Sequence, residues 1–342
     1  MLEFAKRPID DRLVYFEEVA SRRGLTKLIV EKDFWVCITL KLLFETPGLE
    51  DVFIFKGGTS LSKVFGIIKR FSEDIDLSVN PNWLGYGNDK SPDKATSRTQ
   101  FIKRCKELEE TCIKAVKNKI QPILENAFTK ILGRQDSGTE YLAFELDQRT
   151  KSPILYFNYP TQERETPEYI QPQVKLELGS LTDQEPTGIH EVTSWVAEEF
   201  PEEFMEPNFH LISLAPERTF WEKATILHAE CHRPLDTPLR HHLSRDIYDV
   251  CRMAHHETCE RALADLNLLE RVVGYKQRYF RSGWANFETA KQGGFRLVPP
   301  DHRLQELKSD YRLMQEMFFE EPPDFEVLLE QLRAIEEKIN KR

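Results

Sequence analysis

The stretch FKGGTSLSKVFGIIKRFSEDIDLSV, residues 55–79, decides how the chain is read. The apolar run Asp51–Phe55 leads into it and has the character of a short buried strand. Lys56-Gly57-Gly58-Thr59 is expected to form a tight turn, and Ser60–Arg70 a helix. Asp74–Val79 alternates polar and apolar residues, the period of a strand with one buried face, and Asn80-Pro81-Asn82 closes it. Two glycines between a strand and a helix let the backbone approach a ligand closely, and the helix start offers unpaired N–H groups to a phosphate. Asp74 and Asp76 are i and i+2 on a strand, so both carboxylates project from one face. Two such carboxylates repel each other unless a divalent cation lies between them. Hard oxygen donors of this kind suit Mg²⁺ (or Mn²⁺) bound together with the phosphates of a nucleoside triphosphate. Either half alone is ordinary, since glycine pairs usually make only turns and alternating aspartates usually face solvent.

On the N-terminal side, Leu13, Phe16, Val19 and Ala20 share one helical stripe. A second helix is expected over Thr26–Glu45, before Pro47 and Gly48. On the C-terminal side, residues 81–98 are loop-like and Arg98–Ile131 reads as one or two helices. This stretch is basic, with ten Lys or Arg against four Asp or Glu between Lys94 and Arg134. Strands are expected at Tyr141–Asp147, Ile154–Tyr159 and Val174–Leu178, with a proline-rich loop from Pro160 to Pro172. Glu198, Glu199, Glu202, Glu203 and Glu206 read as a solvated acidic connection around Pro201. Beyond it the pattern is helical at Glu217–Cys231, Leu243–His255, Glu257–Val273 and Phe325–Ile339, with Gly293-Gly294 and Pro299-Pro300 marking a loop. The expected class is α+β: a mixed-sheet core over residues 1–210, carrying N-terminal helices and a basic helical insertion near 91–134, then a mainly helical domain over 211–342.

The chain has 342 residues, 40% of them hydrophobic and 11% aromatic, which is a globular composition rather than a disordered one. No apolar run approaches the ~20 residues of a membrane span, so no membrane association is expected. The opening MLEFAKRPIDDR lacks the apolar core of a signal peptide. The 6 cysteines contain no CxxC pair, so reduced thiols and a cytoplasmic location are expected. A formal net charge of -10 argues against general coating of nucleic acid but leaves room for a local basic groove.

Strand, GG[ST] turn, helix and DxD strand follow one another here as in the nucleotidyltransferase superfamily related to DNA polymerase beta. The whole segment resembles more closely the AbiEii/AbiGii (MenT-like) family of nucleotidyltransferase toxins. There a KGGT-[SA]-L-S-K segment leads into RFSEDIDL almost as written here. Glu31-Lys32-Asp33 resembles the start of that family's N-terminal aromatic helix. Pro172-Gln173-Val174-Lys175-Leu176-Glu177-Leu178 resembles its K-x-E strand, and Arg245-Asp246-Ile247-Tyr248-Asp249 its RD-[IL]-YD helix.

The resemblance implies a metal-dependent nucleotidyltransferase of a toxin–antitoxin or phage-defence system, with an RNA acceptor such as a tRNA 3′ end and a cognate antitoxin. Transfer to a protein or small-molecule hydroxyl, or a non-catalytic nucleotide-binding regulator, are the alternatives. Asp74 and Asp76 take the metal-binding role, Lys175 that of an essential lysine, and Asp246 that of a C-terminal catalytic or metal-supporting acid. Lys56, Gly57, Gly58, Thr59 and Ser60 would cradle the nucleotide. Glu177 shares a face with Lys175 and is either a third metal-binding carboxylate or only the partner of that lysine. Arg70 suits a phosphate but could instead pair with Glu73. Ser72, two residues from Asp74, is a nucleotide-contact candidate at which an added phosphate would repel substrate. For Asp246 and Asp249, at i and i+3, a salt-bridge network is the alternative.

Other signals are weaker. His228, Cys231, His232, Cys251, His255, His256 and Cys259 could ligate zinc, but their spacing fits no common zinc frame. Arg271, Lys276, Arg278 and Arg281 interleave with Tyr275, Tyr279, Phe280 and Trp284, either as an RNA-contacting surface or as an amphipathic helix packing its rings.

Overall fold

A computed structural model describes residues 1–135, 138–162 and 171–341; most of the expected loop Pro160 to Pro172 lies outside them. The chain divides into two compact units, Met1–Val64 with Ser72–Ser213, and Phe65–Phe71 with Leu214–Arg342.

The first unit is built on a mixed sheet of, among the described residues, seven strands: β1 (Phe53–Lys56), β2 (Ile75–Val79), β3 (Leu142–Leu146), β4 (Pro153–Phe157), β5 (Val174–Gly179), β6 (Thr187–Thr193) and β7 (Asn208–Leu214). Their order is β3-β4-β5-β2-β1-β7-β6. β1 runs antiparallel to β2 and parallel to β7; β2 runs parallel to β5, and β3, β4 and β5 are successively antiparallel. Alternation divides the side chains between two faces. Phe53, Phe55, Ile75, Leu77, Leu155, Phe157, Leu176 and Leu178 are buried in one core, while Lys56, Asp76, Lys175 and Glu177 occupy the alternate positions.

Helices of this unit are α1 (Leu2–Ala5), α2 (Ile9–Arg23), α3 (Lys27–Glu45), α4 (Gly57–Lys63), α5 (Arg98–Ala115), α6 (Gln121–Leu132) and α7 (Trp195–Glu199). The Thr26 hydroxyl caps α3 by accepting from Ile29 N at 3.3 Å, satisfying one otherwise orphaned donor. α3 is buried along most of its length. Its Trp35 ring stacks on Tyr159 and meets Phe157 edge-on, and Phe157 stacks on Phe128 of α6 at 3.8 Å. Burial on several sides forces the polar residues of α3 to find partners. Asp33 pairs with Lys63 of α4 at 2.6 Å and accepts from Trp195 N at 2.9 Å. Lys32 pairs with Glu73, and Glu31 accepts from Thr161 Oγ1 at 2.9 Å. A π-helical segment, Val116–Ile120, joins α5 to α6.

The second unit contains α8 (Pro216–Cys231), α9 (Leu243–Ala254), α10 (Glu257–Ala264), α11 (Leu266–Tyr279), α12 (Leu304–Leu313) and α13 (Phe325–Lys341). Trp221 of α8 is fully buried and donates through Nε1 to Ala262 O at 3.2 Å. The excursion Phe65–Phe71 is bound here as a short extended segment. Phe71 N donates to Met317 O at 2.6 Å, and Phe319 N to Lys69 O at 3.0 Å.

Several local expectations are corrected. Gly57 and Gly58 open α4 rather than form a turn ahead of it, and the helix stops at Lys63 instead of running to Arg70. The acidic stretch is not simply a solvated connection: Glu198 and Glu199 lie on α7 and pair with Arg22 and Arg23, while Glu203 pairs with Arg7. β6, β7 and α12 fall where no regular element was expected. The 257–273 helix breaks at Asp265, whose carboxylate caps α11 by accepting from Leu268 N.

Candidate active site

The site face of the sheet can be built strand by strand. β1 ends at Lys56, and the chain turns into α4 at Gly57, where φ is +80°. β2 returns antiparallel so that Asp76 lies opposite Lys56. β5 lies on the other side of β2 with Glu177 beside Asp76. Lys56, Asp76 and Glu177 therefore form one row across three strands; Lys175 lies two residues earlier on β5 and on the same face, and Asp74, just ahead of β2, is close enough for its charge to act on Lys175. Lys56 Nζ stands 3.9 Å from Asp76 Oδ1, and Lys175 is hydrogen-bonded to Glu177.

Local packing holds this arrangement. Thr59 on α4 is buried, and its hydroxyl lies 2.5 Å from Asp74 O and 2.9 Å from Ser72 Oγ. Thr59 Oγ1 is the donor toward both acceptors, and its single proton favours the closer Asp74 carbonyl. The first turn of α4 is thereby fixed to the residues that lead into β2. Ser60 is buried and donates to Gly57 O at 2.8 Å, so its hydroxyl closes the turn from inside. Glu73, next to Asp74, is held by Lys32.

The charges are unbalanced. Burial pushes the Asp74 carboxyl up to about 7; Lys175 opposes this, and Glu73, Asp76 and Glu177 add to it. For Lys175, burial alone would lower the ammonium, but the Glu177 hydrogen bond and the charges of Asp74 and Glu177 outweigh it and hold the group above its ordinary value. Among the described residues no three His, Cys, Asp or Glu side chains are gathered to hold a metal ion. Two hard carboxylates that repel each other still fit a cation whose remaining ligands are substrate phosphates and water, the usual mode for Mg²⁺. Asp74 and Asp76 are the residues that would hold it. Glu177 is engaged by Lys175 in this form of the protein.

Lys56, Gly57, Gly58, Thr59, Ser60, Ser72, Asp74, Asp76, Lys175 and Glu177 all belong to the first unit. Arg70 and Asp246 belong to the second. There Arg70 is buried and makes a two-pronged pair with Asp249, Nε to Oδ1 and Nη2 to Oδ2, both at 2.8 Å. Its partner is therefore Asp249 and not Glu73. Lys223 on α8, which the sequence alone did not single out, lies 2.6 Å from Asp246 and 2.9 Å from Asp249. Arg70, Asp249, Lys223 and Asp246 thus form one continuous ionic chain. Burial alone would raise Asp249, but Arg70 and Lys223 hold it below the usual carboxylate range.

Of the histidines and cysteines of this unit, His228, Cys251 and Cys259 are buried in its packing, while His241, His242 and His255 are exposed. His228 is buried, with Nδ1 accepting from Arg296 N at 3.0 Å and Nε2 3.1 Å from Asn286 O. The Cys251 thiol donates to Leu328 O. On α11, Lys276 turns inward to donate to Glu222 O at 2.8 Å, Tyr275 and Tyr279 stack on each other at 4.1 Å, and Arg278 is exposed, as is Arg281 just beyond the helix.

Among solved structures, the chain is similar to MenT4, a nucleotidyltransferase toxin from Mycobacterium tuberculosis H37Rv, with 16% identity, 94% of this chain and 87% of that chain covered, and a TM-score of 0.50. At that identity the likeness speaks for the fold alone. No curated protein matches. The family described as nucleotidyl transferase AbiEii toxin, type IV toxin–antitoxin system, matches over residues 41–336. That span holds the GG-to-DxD row, the Lys175 strand and the Asp246 helix together, and the chain is a member of the AbiEii nucleotidyltransferase toxin family.

Proposed function

We propose that this nucleotidyltransferase moves a nucleoside monophosphate from an NTP to a hydroxyl of RNA, such as a tRNA 3′ end, in the presence of Mg²⁺ or Mn²⁺, inside the cytoplasm and under the control of a cognate antitoxin. The observation that carries the reading is the row of Lys56, Asp76 and Glu177 with Asp74 and Lys175 beside it. It sets the glycine start of α4 next to clustered carboxylates and two compact cations, Lys56 and Lys175. When bound, the divalent ion would offset phosphate charge and lower the pKa of the attacking hydroxyl.

The rest falls to the chain's own residues. Gly57 and Gly58 let the nucleotide phosphates approach the backbone, and Lys56 faces the same space. Lys175 stabilises the negative charge that develops on the α-phosphate as the acceptor oxygen bonds to phosphorus and the bond to the β-phosphate bridging oxygen breaks. Pyrophosphate leaves with that electron pair. Glu177 takes the acceptor proton once Lys175 turns from it to the phosphate. Asp246, with Lys223, serves as the C-terminal acid of the reaction, and Ser72 and Thr59 hold the DxD entry in place.

Exposed Lys114 on α5 and Lys117 on the π-segment support an RNA acceptor over a small one. The test is to incubate the protein with each labelled NTP, Mg²⁺ and a mixture of total RNA, cell protein and small hydroxylated molecules. Label in RNA that weakens steeply with salt supports the reading. Label only in protein or small molecules would overturn it.

A further inference from the structure

The next strand outward from Lys175 is β4, and its residue opposite Lys175 is Tyr156. Side chains of directly paired residues in an antiparallel ladder share a face and stand ~5 Å apart at Cβ. Tyr156 therefore lies on the site face, beside the essential-lysine position. On its far side Tyr156 pairs with Ala143 of β3, which is exposed, so that flank of the ring is open. Tyr156 is partly exposed. Large aromatic rings elsewhere in this unit are packed against one another, whereas Tyr156 makes no ring stack and no hydrogen bond among the described residues.

Strand order gives this ring a direction. The glycine start of α4 follows β1, Asp76 lies on β2 with Asp74 just ahead of it, Lys175 and Glu177 lie on β5, and Tyr156 lies on β4. In-line transfer requires the leaving pyrophosphate and the attacking hydroxyl on opposite sides of the α-phosphate. With pyrophosphate toward the β1–α4 junction at Gly57, the attacking hydroxyl enters from the β5–β4 side. We infer that Tyr156 is the stacking platform for the terminal base of a single-stranded acceptor 3′ end, a specificity-determining residue for the acceptor and not for the NTP. This rests on the nucleotidyltransferase reading with an RNA acceptor. A ring face selects an unpaired, splayed-out base with little preference for its identity.

The experiment measures transfer of labelled nucleotide to a synthetic RNA with an unpaired 3′ tail, and separates acceptor KM from NTP KM. Base–aromatic stacking sets the expected effect at about five- to a hundredfold. Tyr156→Leu keeps strand-forming bulk but has no π-face and should raise acceptor KM by that factor, with NTP KM within about twofold of wild type. Tyr156→Phe keeps the ring and should match wild type on both. Thermal melts of the three proteins check that the strand is intact. Tyr156→Leu with a wild-type acceptor KM, or a Leu variant that loses NTP affinity instead, would overturn the assignment. A wild-type protein that labels no RNA would overturn the underlying acceptor reading itself, a result distinguishable from a Tyr156 failure because it precedes any variant.

Discussion

Gly57 and Asp76 share a space that admits no side chain: a β-carbon on Gly57 would stand 2.1 Å from Asp76 Oδ2. The same glycine has φ +80°, a region that costs other residues roughly 1–2 kcal/mol. The backbone at the start of α4 and the carboxylate on β2 are thus fitted to each other, and the first glycine of the KGGT segment is required twice over.

Gly57→Ala should accordingly lose about 1–2 kcal/mol of stability from backbone strain and lose far more activity than stability. Its β-carbon must push the Asp76 carboxylate aside, and misplacement of about 1 Å can cost 10²-fold in rate. Paired measurements of melting temperature and transfer rate check this. A variant that melts early but turns over normally would separate Gly57 from the site.

Lys175→Ala should cut transfer by about 10²–10³, the usual effect of removing one preorganised electrostatic donor. The Lys175–Glu177 pair is partly exposed, so its contribution to stability should stay within about 1 kcal/mol. Lys175→Arg should rescue poorly because a planar fork does not reproduce a compact ammonium. Steady-state rates beside thermal melts decide this, and full rescue by Arg would reduce Lys175 to a general surface charge.

Asp249→Asn should be a stability variant first. It leaves the buried Arg70 guanidinium without its carboxylate, while Lys223 keeps only Asp246, at a cost of about 3–5 kcal/mol. The sign with pH follows from the depressed folded pKa of Asp249. Its stabilising contribution is fully present above the ordinary carboxylate value near 4 and is lost as pH falls through the lower folded value. Denaturant melts should show a large gap between wild type and variant at pH 7 that narrows below about pH 4. A gap that stayed constant to pH 2 would contradict the pairing.

The parts of the fold with a strong local signal were legible in the sequence. The apolar run of Thr26–Glu45 marks α3, and the alternation of Asp74–Val79 marks β2, which begins one residue later at Ile75 and so carries Asp76 but not Asp74. The helical stretches beginning near Glu217, Leu243 and Phe325 follow from their 3.6-residue period. β6 left no such signal. Thr187-Gly188-Ile189-His190-Glu191 lies at the sheet edge, with Ile189 73% exposed, so half-buried alternation is missing. α4 was misplaced because glycines ordinarily break helices, whereas here Gly57 opens one for lack of space beside Asp76. In the candidate site, Lys56, Asp76, Lys175 and Glu177 could be named from motif and spacing. The partner of Arg70 could not, because Asp249 is 179 residues away in sequence and only the tertiary fold brings the two together. Lys223 was hidden for the same reason, as one lysine among the polar residues of a long helix.

In the proposed reaction Asp74 and Asp76 act as a metal-binding carboxylate pair that drives nucleotide transfer. This role is tested most directly by following labelled nucleotide transfer to RNA for wild type, Asp74→Asn and Asp76→Asn across a Mg²⁺ or Mn²⁺ titration. Wild type should depend on the divalent ion and lose activity to a chelator. Each Asn variant should fall by at least about 10²-fold while melting no earlier than wild type, because neutralising one of two repelling carboxylates relieves the fold. Wild-type rates in both variants, at saturating divalent ion, would contradict the account.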